Sequence, residues 1–373
     1  MASGTRARKI VCVASFMNSA GAQEAIVRVA GQLCVRGHDA RVFFLYKEKE
    51  AFTGKSFVNV ISDKADLTLL NYLSVFAALL KVLKREKPDA VICFMPLGTV
   101  MGCLAAFLSG VPIRIASQRA PGPTFGRLMR LLDRLWGSTS IYTRIVCVSE
   151  AVRQSFHGYG RTYWNKLLVV HNGICWKPSA LSKEEARRRF ALPQGKLLFM
   201  AAGRLKHQKN YPFLVDRVRD VPEMNLVIAG EGEDRPELEA MIARYGIDDR
   251  VIRLGAIKHS DVVDLYAACD VFVQTSLYEG QSNATLEAMH AGLPIIVSDI
   301  SMQRETLCKD DGECVGLLVS LDDPETWNRR LAELIESPQL RRSLGAAAAR
   351  YVEERFTLKA MIDGFEQLVV QRS

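Results

Sequence analysis

The sequence predicts an α/β protein with two tandem, doubly wound domains of the Rossmann type, each built around a parallel sheet. Short β-branched runs alternate with stretches of helical period, which is typical of parallel strands joined by helices. The chain has 373 residues, 49% hydrophobic and 24% charged, so it is long enough for two cores and too apolar to be disordered. The alternation breaks once, near residue 175, and then starts again.

The first half of the chain contains five strand-like runs with helical patterns between them. The runs are KIVCVAS, ARVFFLY, AVICFM, PIRIAS and RIVCVS, and the helical stretches include GAQEAIVRVAGQLCVRG and DLTLLNYLSVFAALLKVLKRE. We therefore predict a first domain over residues 1–175.

Residues 90–113 form a segment without a charged side chain that is long enough to span a bilayer. Glycine and proline residues divide it into a strand, AVICFM, a helix, TVMGCLAAFLS, and a second strand, PIRIAS. We therefore predict a buried strand, helix and strand here, with a membrane-spanning helix as the alternative.

The break near residue 175 has the sequence WKPSALSKEEARRRFALPQGK, in which Ser182 and Glu185 form a capping box for a short helix. Strand-like runs then resume as KLLFMAAG, NLVIAG, RVIRLG, DVFVQTS, LPIIVSD and CVGLLVS. We predict a second domain over residues 176–356, and a last helix, 357–373, that packs back on the first domain.

Glycine-rich and polar loops follow several of the predicted strands. NSAGA, residues 18–22, follows the first strand, GRLKHQKN follows KLLFMAAG, and YEGQSNATLEAMHAGLP follows DVFVQTS. Strand ends of two such domains are expected to line a shared cleft, where ligands bind. Backbone amides together with Arg204 and Lys209 would suit a diphosphate there. For any one loop taken alone, a tight turn or a basic surface is the alternative.

NLVIAGEGEDR supplies two glycines of a dinucleotide-binding fingerprint, but the third is missing. Glu231, Glu233 and Asp234 would also repel a pyrophosphate, so a nicotinamide dehydrogenase is not predicted. The sequence has no P-loop and no D-x-D pair to hold a metal ion. Cations and helix dipoles are therefore expected to neutralise a bound diphosphate, with no metal ion and no cofactor.

Nine cysteines lie scattered along the chain, mostly in apolar runs and without a C-x-x-C pair. This usage predicts reduced core thiols in a cytosolic protein rather than a disulfide framework or a zinc site. Residues 1–15 have no long apolar segment of the signal-peptide kind, so export is not predicted.

The charge of the chain is unevenly divided. Residues 1–177 carry 24 Lys and Arg against 10 Asp and Glu, whereas residues 178–373 carry 25 against 31. A basic first half suggests an anionic partner such as a membrane surface, a lipid phosphate or a nucleic acid. A solvated basic surface without a partner is the alternative.

Four motifs of the second half, GRLKHQKN, LVIAGEGED, RVIRLGAI and YEGQSNATLEAMHAGLPIIVSD, resemble in order and spacing the signatures of the GT4 family of retaining glycosyltransferases. In the first half, NSAGAQEAIVRVA resembles the family's Gly-Gly-Ala turn, with Ala20 in place of the first glycine. The resemblance covers essentially the whole chain. It implies the GT-B fold, with an acceptor-side first domain and a second domain for the nucleotide sugar, facing a central cleft.

The resemblance also implies roles for individual residues. Glu279 would meet hydroxyls of the donor sugar and Glu287 those of the ribose, because a carboxylate can accept two hydrogen bonds from a vicinal diol. Arg204 and Lys209 would hold the diphosphate. Gly21 would let the backbone of the first domain approach it.

The helix after Glu279 is predicted to begin at Ala284 and to be capped by Ser282 or Asn283, so that its N-terminal amides can bind an anion. The backbone of residues 253–255 would border the base. The further residues that the resemblance places at the donor are Gly203, Arg253, Leu254, Gly255, Gly280, Gln281, Ser282 and Asn283.

Two positions depart from the family pattern. Gln281 stands where many relatives have an apolar or aromatic residue, which bears on sugar selectivity. In SQRAPGP, residues 117–123, Arg119 matches a position where relatives often have a histidine or an arginine. It is the fourth catalytic candidate, beside Glu279, Arg204 and Lys209.

Residues 124–137, TFGRLMRLLDRLWG, have the pattern of an interfacial helix. One face would carry Phe125, Leu128, Met129, Leu132, Leu135 and Trp136, and another Arg127, Arg130 and Arg134. Packing on the core of the domain is the alternative. With the basic first half, the pattern favours peripheral binding at the anionic cytoplasmic face of the plasma membrane.

The resemblance thus implies a metal-independent hexosyltransferase that moves a sugar from a UDP- or GDP-sugar to a lipid-linked saccharide, with retention, in bacterial surface polysaccharide or lipopolysaccharide assembly. A nucleic-acid partner is not predicted, because no aromatic and basic platform is apparent. Two alternatives are a nucleotide-sugar epimerase of the same fold and a non-catalytic scaffold that binds saccharide or lipid.

Overall fold

The structure is a computed structural model that describes residues 6–18, 21–63 and 68–371. The chain divides into two compact units. The first comprises residues 1–173 and 358–373, and the second comprises residues 174–357. The last helix of the chain, Leu358–Val370, therefore belongs to the first unit.

Within the described residues, the first unit contains a seven-stranded parallel sheet in the order β3-β2-β1-β4-β5-β6-β7. The strands are β1 (Lys9–Met17), β2 (Asp39–Lys47), β3 (Val58–Ser62), β4 (Ala90–Phe94), β5 (Ile113–Gln118), β6 (Arg144–Cys147) and β7 (Leu167–Val169). The edge strands β3 and β7 lie outside the five predicted runs; VNVIS of β3 is only half-buried and has no strong apolar pattern.

Helices cover both faces of this sheet. They are α1 (Gly21–Val35), α2 (Leu69–Glu86), α3 (Pro96–Leu108), α4 (Arg127–Gly137), α5 (Glu150–Gln154), α6 (Arg161–Trp164) and, at the end of the chain, α15 (Leu358–Val370). One hydrophobic core lies between the sheet and the helices α1 and α15. A second core lies on the opposite face, under α2 and α3.

The uncharged segment 90–113 forms β4, α3 and the start of β5, as the sequence predicted. Helix α3 approaches the sheet closely at Gly98, where a Cβ atom would lie 2.8 Å from the backbone nitrogen of Ser15. In the described part of the chain, no helix is both long enough and apolar enough to cross a membrane.

Helix α4 begins at Arg127 and is shorter than the predicted segment 124–137. Its outward apolar ridge also differs from the predicted face. Leu128, Leu131 and Leu135 are 63%, 54% and 47% exposed. The predicted apolar face is therefore partly wrong, because Phe125 and Trp136 instead pack against the core under α2 and α3.

In the second unit, six parallel strands are ordered β10-β9-β8-β11-β12-β13 in the part of the chain described. The strands are β8 (Leu198–Ala202), β9 (Asn225–Ala229), β10 (Val251–Gly255), β11 (Val271–Gln274), β12 (Ile295–Ser298) and β13 (Leu317–Val319). The helices are α7 (Lys183–Arg189), α8 (Tyr211–Asp220), α9 (Arg235–Tyr245), α10 (His259–Ala268), α11 (Asn283–His290), α12 (Ser301–Leu307), α13 (Pro324–Glu336) and α14 (Pro338–Arg355). Ser182 and Glu185 form the predicted capping box at α7.

The cysteine prediction is wrong for one pair. Cys308 and Cys314 form a disulfide, because the chain turns back after α12 and pairs the two residues in an antiparallel bridge. Their spacing of six residues gives no sign of this turn in the sequence. The other cysteines all lie in the described ranges and are free thiols, mostly buried.

Candidate active site

The candidate site of the second unit lies where its strand order reverses. Strands β8 and β11 are neighbours at the centre of the sheet, and the chain leaves them toward opposite edges. In open α/β sheets, ligands bind beyond the carboxyl ends of strands at such a switch point. The loops that follow β8 and β11 carry Lys209 and Glu279, so the topology brings these two residues together.

Lys209 is held in place by the tight loop after β8. It ends a single 3₁₀ turn, and the next residue, Asn210, has a φ of 52° and is the N-cap of α8. The hydroxyl of Thr275 donates hydrogen bonds to the carbonyls of Lys209 and Asn210, at 3.2 and 3.0 Å. Gly203 leaves room for the lysine, since a Cβ atom at this residue would lie 2.9 Å from its Cε. The position of the ammonium group is therefore determined by backbone structure.

Glu279 is 7% exposed and accepts hydrogen bonds at both carboxylate oxygens. Its Oε1 accepts from Lys209 Nζ at 2.7 Å, Gln274 Nε2 at 2.8 Å and Ser276 Oγ at 2.7 Å. Its Oε2 accepts from Gln208 Nε2 at 3.3 Å. A buried carboxylate is costly unless it is paired and hydrogen-bonded, and this one is both.

The amide of Gln274 connects Glu279 to the start of α11. Its Nε2 donates to Glu279 Oε1 and to Ser276 Oγ, each at 2.8 Å. Its Oε1 accepts from Ser282 Oγ at 2.8 Å and from Thr285 Oγ1 at 3.2 Å. All hydrogen-bonding positions of this amide are thus used, which fixes its orientation.

Ser282 is the N-cap of α11, and its hydroxyl accepts a hydrogen bond from the Thr285 amide at 3.3 Å. The helix begins at Asn283, one residue before the predicted start, because Ser282 rather than Asn283 is the cap. Gly280 and Gln281 are buried between Glu279 and this cap. The N-terminal amides of α11 and the buried carboxylate therefore lie within a few residues of each other.

Glu287 lies one turn inside α11 and is partly buried. The hydroxyl of Tyr266, a buried residue of α10, donates to Glu287 Oε2 at 3.1 Å and to the carbonyl of Ala284 at 3.1 Å. Burial and the charge of Glu287 both raise the pKa of Tyr266, so this tyrosine remains a proton donor. It orients the carboxylate of Glu287.

The other predicted residues of this unit lie at nearby strand ends. The guanidinium of Arg204 is exposed and makes no hydrogen bond or ion pair with any residue that the structure describes. Arg253 pairs with Asp248 at 3.5 Å. Leu254 packs against the core, and Gly255 has a φ of 68° and accepts from the Gly230 amide at 2.8 Å.

Gly21 and Arg119 belong to the first unit. Gly21 is the exposed first residue of α1, whereas Ser19 and Ala20 of the predicted glycine-type turn lie outside the described residues. Arg119 follows β5, and its Nη2 donates to the side-chain oxygen of Asn172. Its guanidinium lies over the ring of Phe94, 4.9 Å from the centroid.

Sequence reasoning missed several residues that position the predicted ones, above all Gln274, Ser276 and Tyr266. Gln274 and Ser276 carried a detectable signal, because polar residues at the end of the buried run VFVQTS are unusual unless they make hydrogen bonds. Tyr266 carried none, since an aromatic residue in an apolar helix is usually core.

The described side chains include no cluster of three or more His, Cys, Asp or Glu residues that could hold a metal ion. What the second unit does present is an ammonium group, a buried carboxylate, a second carboxylate held by a tyrosine, and a helix N-terminus. These groups suit a ligand that combines an anion with neighbouring hydroxyl groups.

Two family models match the chain in succession. Residues 19–175 match the model described as Glycosyltransferase Family 4, and residues 182–351 match the model described as Glycosyl transferases group 1. The two matches correspond to the two units of the structure.

Individual relatives have related descriptions. A UDP-Gal:alpha-D-GlcNAc-diphosphoundecaprenol alpha-1,3-galactosyltransferase of Escherichia coli is 27% identical over 74% of this chain and 73% of its own length. The amylovoran biosynthesis glycosyltransferase AmsD of Erwinia amylovora is 24% identical over 91% of this chain and 93% of its own.

Solved structures have the same fold. Anabaena HepE, in complex with UDP and glucose, has a TM-score of 0.84 at 19% identity and covers 96% of this chain and 98% of its own. WaaG, a glycosyltransferase involved in lipopolysaccharide biosynthesis, has a TM-score of 0.75 at 18% identity, with 96% and 99% covered. The chain has the GT-B fold and belongs to glycosyltransferase family 4.

Proposed function

We propose that this glycosyltransferase transfers a hexose from a nucleoside diphosphate sugar to a lipid-linked saccharide, with retention of the anomeric configuration and without a metal ion. The observation that carries the proposal is the pairing of Lys209 with the buried Glu279 beside the N-terminus of α11. In a nucleoside diphosphate sugar, the diphosphate and the sugar are joined by one bond. A cation for the diphosphate and a carboxylate for the sugar hydroxyls must therefore lie close together.

The donor is bound mainly by the second unit. An ammonium group has three hydrogen-bond donors, and the contact with Glu279 uses one, so Lys209 can bind phosphate oxygens at the same time. The exposed Arg204 is free to approach the same diphosphate. Glu279 receives the sugar hydroxyls, and Glu287, oriented by Tyr266, receives the ribose.

In the chemical step, the bond between the sugar C1 and the phosphate oxygen breaks and a bond from C1 to the acceptor oxygen forms on the same face. The acceptor hydroxyl gives its proton to the leaving phosphate. Negative charge grows on the diphosphate as the sugar becomes cation-like, so Lys209, Arg204 and the amides of α11 lower the barrier. The carboxylate of Glu279 stabilises the positive charge of the sugar.

The acceptor is a lipid-linked saccharide of a cell-surface glycan. Support comes from two relatives. One is the galactosyltransferase for alpha-D-GlcNAc-diphosphoundecaprenol, and the other is a glycosyltransferase of amylovoran biosynthesis. A nucleotide-sugar epimerase and a non-catalytic scaffold have no comparable support among them.

The enzyme works at the inner face of the plasma membrane, and α4 is its docking helix. Leu128, Leu131 and Leu135 occur at i, i+3 and i+7 and form an exposed apolar ridge. The exposed Arg127, Arg130 and Arg134 have the same spacing and form the adjacent stripe. Leucines can enter the headgroup region while arginines bind anionic lipids, which is the arrangement of interfacial helices.

A panel of UDP- and GDP-sugars tests the proposal directly. The enzyme is incubated with each sugar, with and without a diphosphate-lipid-linked saccharide, and the nucleotide released and the anomeric configuration of the product are measured. We expect acceptor-dependent release with one donor and an α-linked product from an α-linked donor. Release of a free epimerised sugar, or no turnover of any donor, would contradict the proposal.

EDTA tests the metal-independent part separately. Activity is expected to persist at millimolar EDTA, because cationic side chains and helix amides neutralise the diphosphate. Loss of activity that Mg²⁺ or Mn²⁺ restores would show that a metal ion takes part.

A further inference from the structure

We propose that Arg28 and Arg119 form an oxyanion site in the first unit that binds a phosphate of the acceptor. This inference rests on the proposed function for the identity of the ligand. The site itself rests on the contacts of the two arginines.

Both guanidinium groups meet the same short segment at the end of the first unit. Arg28, on α1, donates from Nη1 to the carbonyl of Gly173 at 3.1 Å. Arg119, after β5, donates from Nη2 to the side-chain oxygen of Asn172. The two arginines are 91 positions apart in the sequence, yet they contact the adjacent residues Asn172 and Gly173. Arg28 lies close enough to Arg119 for its positive charge to lower the pKa of that guanidinium.

Among the described residues, no carboxylate neutralises this pair. Neither arginine forms an ion pair with an acidic residue within the described ranges 6–18, 21–63 and 68–371. The Nη1 atom of Arg119 is buried and has no hydrogen-bond partner there. Enclosing a charged group without a counterion is costly, so structures usually supply one. Burial lowers the pKa of Arg119 to about 9, yet the group remains charged at neutral pH.

The shape of the site also fits an oxyanion. The planar guanidinium of Arg119 is fixed over the ring of Phe94 and against Asn172, so its remaining donors have a defined direction. Arginine binds phosphate oxygens through parallel N–H groups, and two arginines can bind separate oxygens of one phosphoryl group.

The pair is assigned to the acceptor rather than to the donor, so Arg119 has a different role from the catalytic one predicted from the sequence. Both arginines belong to the first unit, whereas Lys209 and the α11 N-terminus of the second unit are assigned to the donor diphosphate. A saccharide joined to lipid through a diphosphate carries its own charged group and needs a separate cationic site. Inorganic phosphate has the same chemistry. The experiment must therefore distinguish a phosphate of the acceptor from the donor diphosphate and from free inorganic phosphate.

Calorimetric titration of the full chain with inorganic pyrophosphate, in saturating nucleotide diphosphate, tests the site without any turnover. We expect measurable binding that Arg119→Gln and Arg28→Gln each weaken by about tenfold or more, because each removes a charge-assisted contact. Arg161→Gln, at an exposed residue of α6, should bind like the parent protein. Equal binding by all variants, or none by the parent, would overturn the proposal.

Competition separates the sources. If saturating nucleotide diphosphate abolishes pyrophosphate binding, the arginines serve the donor and the acceptor assignment is wrong. If inorganic phosphate binds as tightly as pyrophosphate and a diphosphate-linked saccharide does not compete, the site takes a free ion and the assignment is also wrong. Competition by the linked saccharide alone supports it.

Thermal unfolding provides a readout that a folding defect cannot imitate. Arg119→Met removes an enclosed, unneutralised charge at similar volume, so its melting temperature without ligand should be equal to or above that of the parent. In saturating nucleotide diphosphate, pyrophosphate should raise the melting temperature of the parent and leave that of this variant unchanged. A destabilised variant that still responds to pyrophosphate would contradict the proposal. If no nucleotide sugar is turned over, the proposed function fails, and these measurements still decide whether the anion site exists.

Discussion

The ammonium group of Lys209 lies 2.7 Å from the Oε1 atom of Glu279, in a contact that joins residues 70 positions apart. Both groups are largely enclosed, with 15% and 7% of their side chains exposed. The pair therefore places a cation and an anion side by side before any donor binds. Each charge makes the burial of the other less costly.

Removal of either charge should strongly reduce turnover. Lys209→Ala and Glu279→Ala are each expected to lower kcat by about 10² or more, since each removes a preorganised charge. Because each deletion leaves the partner charge enclosed without its counterion, the double variant should lose less than the product of the two single losses. Steady-state kinetics on folded samples measures this. Lys196→Ala and Glu223→Ala, at exposed residues of the same unit, are the controls. Near-normal kcat in either site variant would contradict the assignment.

Gln274 should act as a positioning residue for Glu279. Gln274→Leu removes a donor from Glu279 Oε1 and the acceptor of the Ser282 and Thr285 hydroxyls. We expect a loss of about 1–3 kcal/mol of stability, because buried polar groups lose their partners. At temperatures well below unfolding, kcat should still fall by about tenfold with little change in the donor KM. Gln194→Leu, at an exposed glutamine, is the control, and a stability loss without a kcat effect would limit Gln274 to a structural role.

Tyr266 should matter for nucleotide affinity. Tyr266→Phe deletes the hydroxyl that donates to Glu287 and keeps the ring in the core. Loss of a hydrogen bond to a charged group predicts an affinity for the nucleotide that is about tenfold weaker. Calorimetry with the nucleotide diphosphate identified by the donor panel measures it, with Tyr245→Phe as the control, where the hydroxyl meets Asp216 instead. Unchanged affinity would mean that Glu287 does not depend on this tyrosine.

Membrane binding should depend on the arginine stripe of α4. Replacing Arg127, Arg130 and Arg134 by glutamine should release the protein from vesicles rich in anionic lipid. Each arginine near the surface is expected to contribute about 1 kcal/mol to the binding free energy. Added salt should do the same to the parent protein. Sedimentation with vesicles measures both effects, and equal pelleting of the variant and the parent would make α4 an ordinary surface helix.

The leucine ridge should contribute separately. Replacing Leu128, Leu131 and Leu135 by serine should weaken vesicle binding even at high salt, because apolar burial is not screened by ions. Trp136→Ala serves as the contrast, since Trp136 packs on the core and should affect stability rather than binding. If Trp136→Ala weakened vesicle binding and the leucine replacements did not, the apolar face predicted from the sequence would be the one that binds the membrane.

Asp133, on the inward side of α4, should make stability depend on pH. It accepts hydrogen bonds from Gln118 at 2.7 Å and Tyr163 at 2.7 Å, and burial raises the pKa of its carboxyl from 3.8 to about 6. Between these pH values the folded state binds more protons than the unfolded state. Stability from the protonated carboxyl is therefore lost as pH rises from about 4 to 6, by about 3 kcal/mol in total.

Denaturant unfolding of the parent and of Asp133→Asn at pH 4.5 and pH 7 measures this effect. The variant should gain stability relative to the parent as pH rises, because asparagine stays neutral. A difference between the two proteins that does not change with pH would show that the carboxyl is not titrating in this range.

The sequence by itself determined the fold class. Runs such as KIVCVAS and LPIIVSD were long, apolar and β-branched, and the positions of Gly and Pro divided residues 90–113 correctly. Local signals also determined the capping box at Ser182 and limited the cap of α11 to Ser282 or Asn283, because such hydrogen bonds join residues three positions apart. Motif resemblance identified the family.

Only the tertiary structure decided which residues support the site. Tyr266 reaches Glu287 because the fold brings together two helices whose contacting residues are 21 positions apart, and no local pattern encodes that distance. Gln274 lies only five positions before Glu279, but the direction of its side chain depends on the surrounding hydrogen bonds. The same reason explains the disulfide between Cys308 and Cys314, which depends on a turn. It also explains α4, where helical period alone could not tell the ridge at Leu131 from the face that packs at Trp136. Both faces are apolar, and only contact with the rest of the domain separates them.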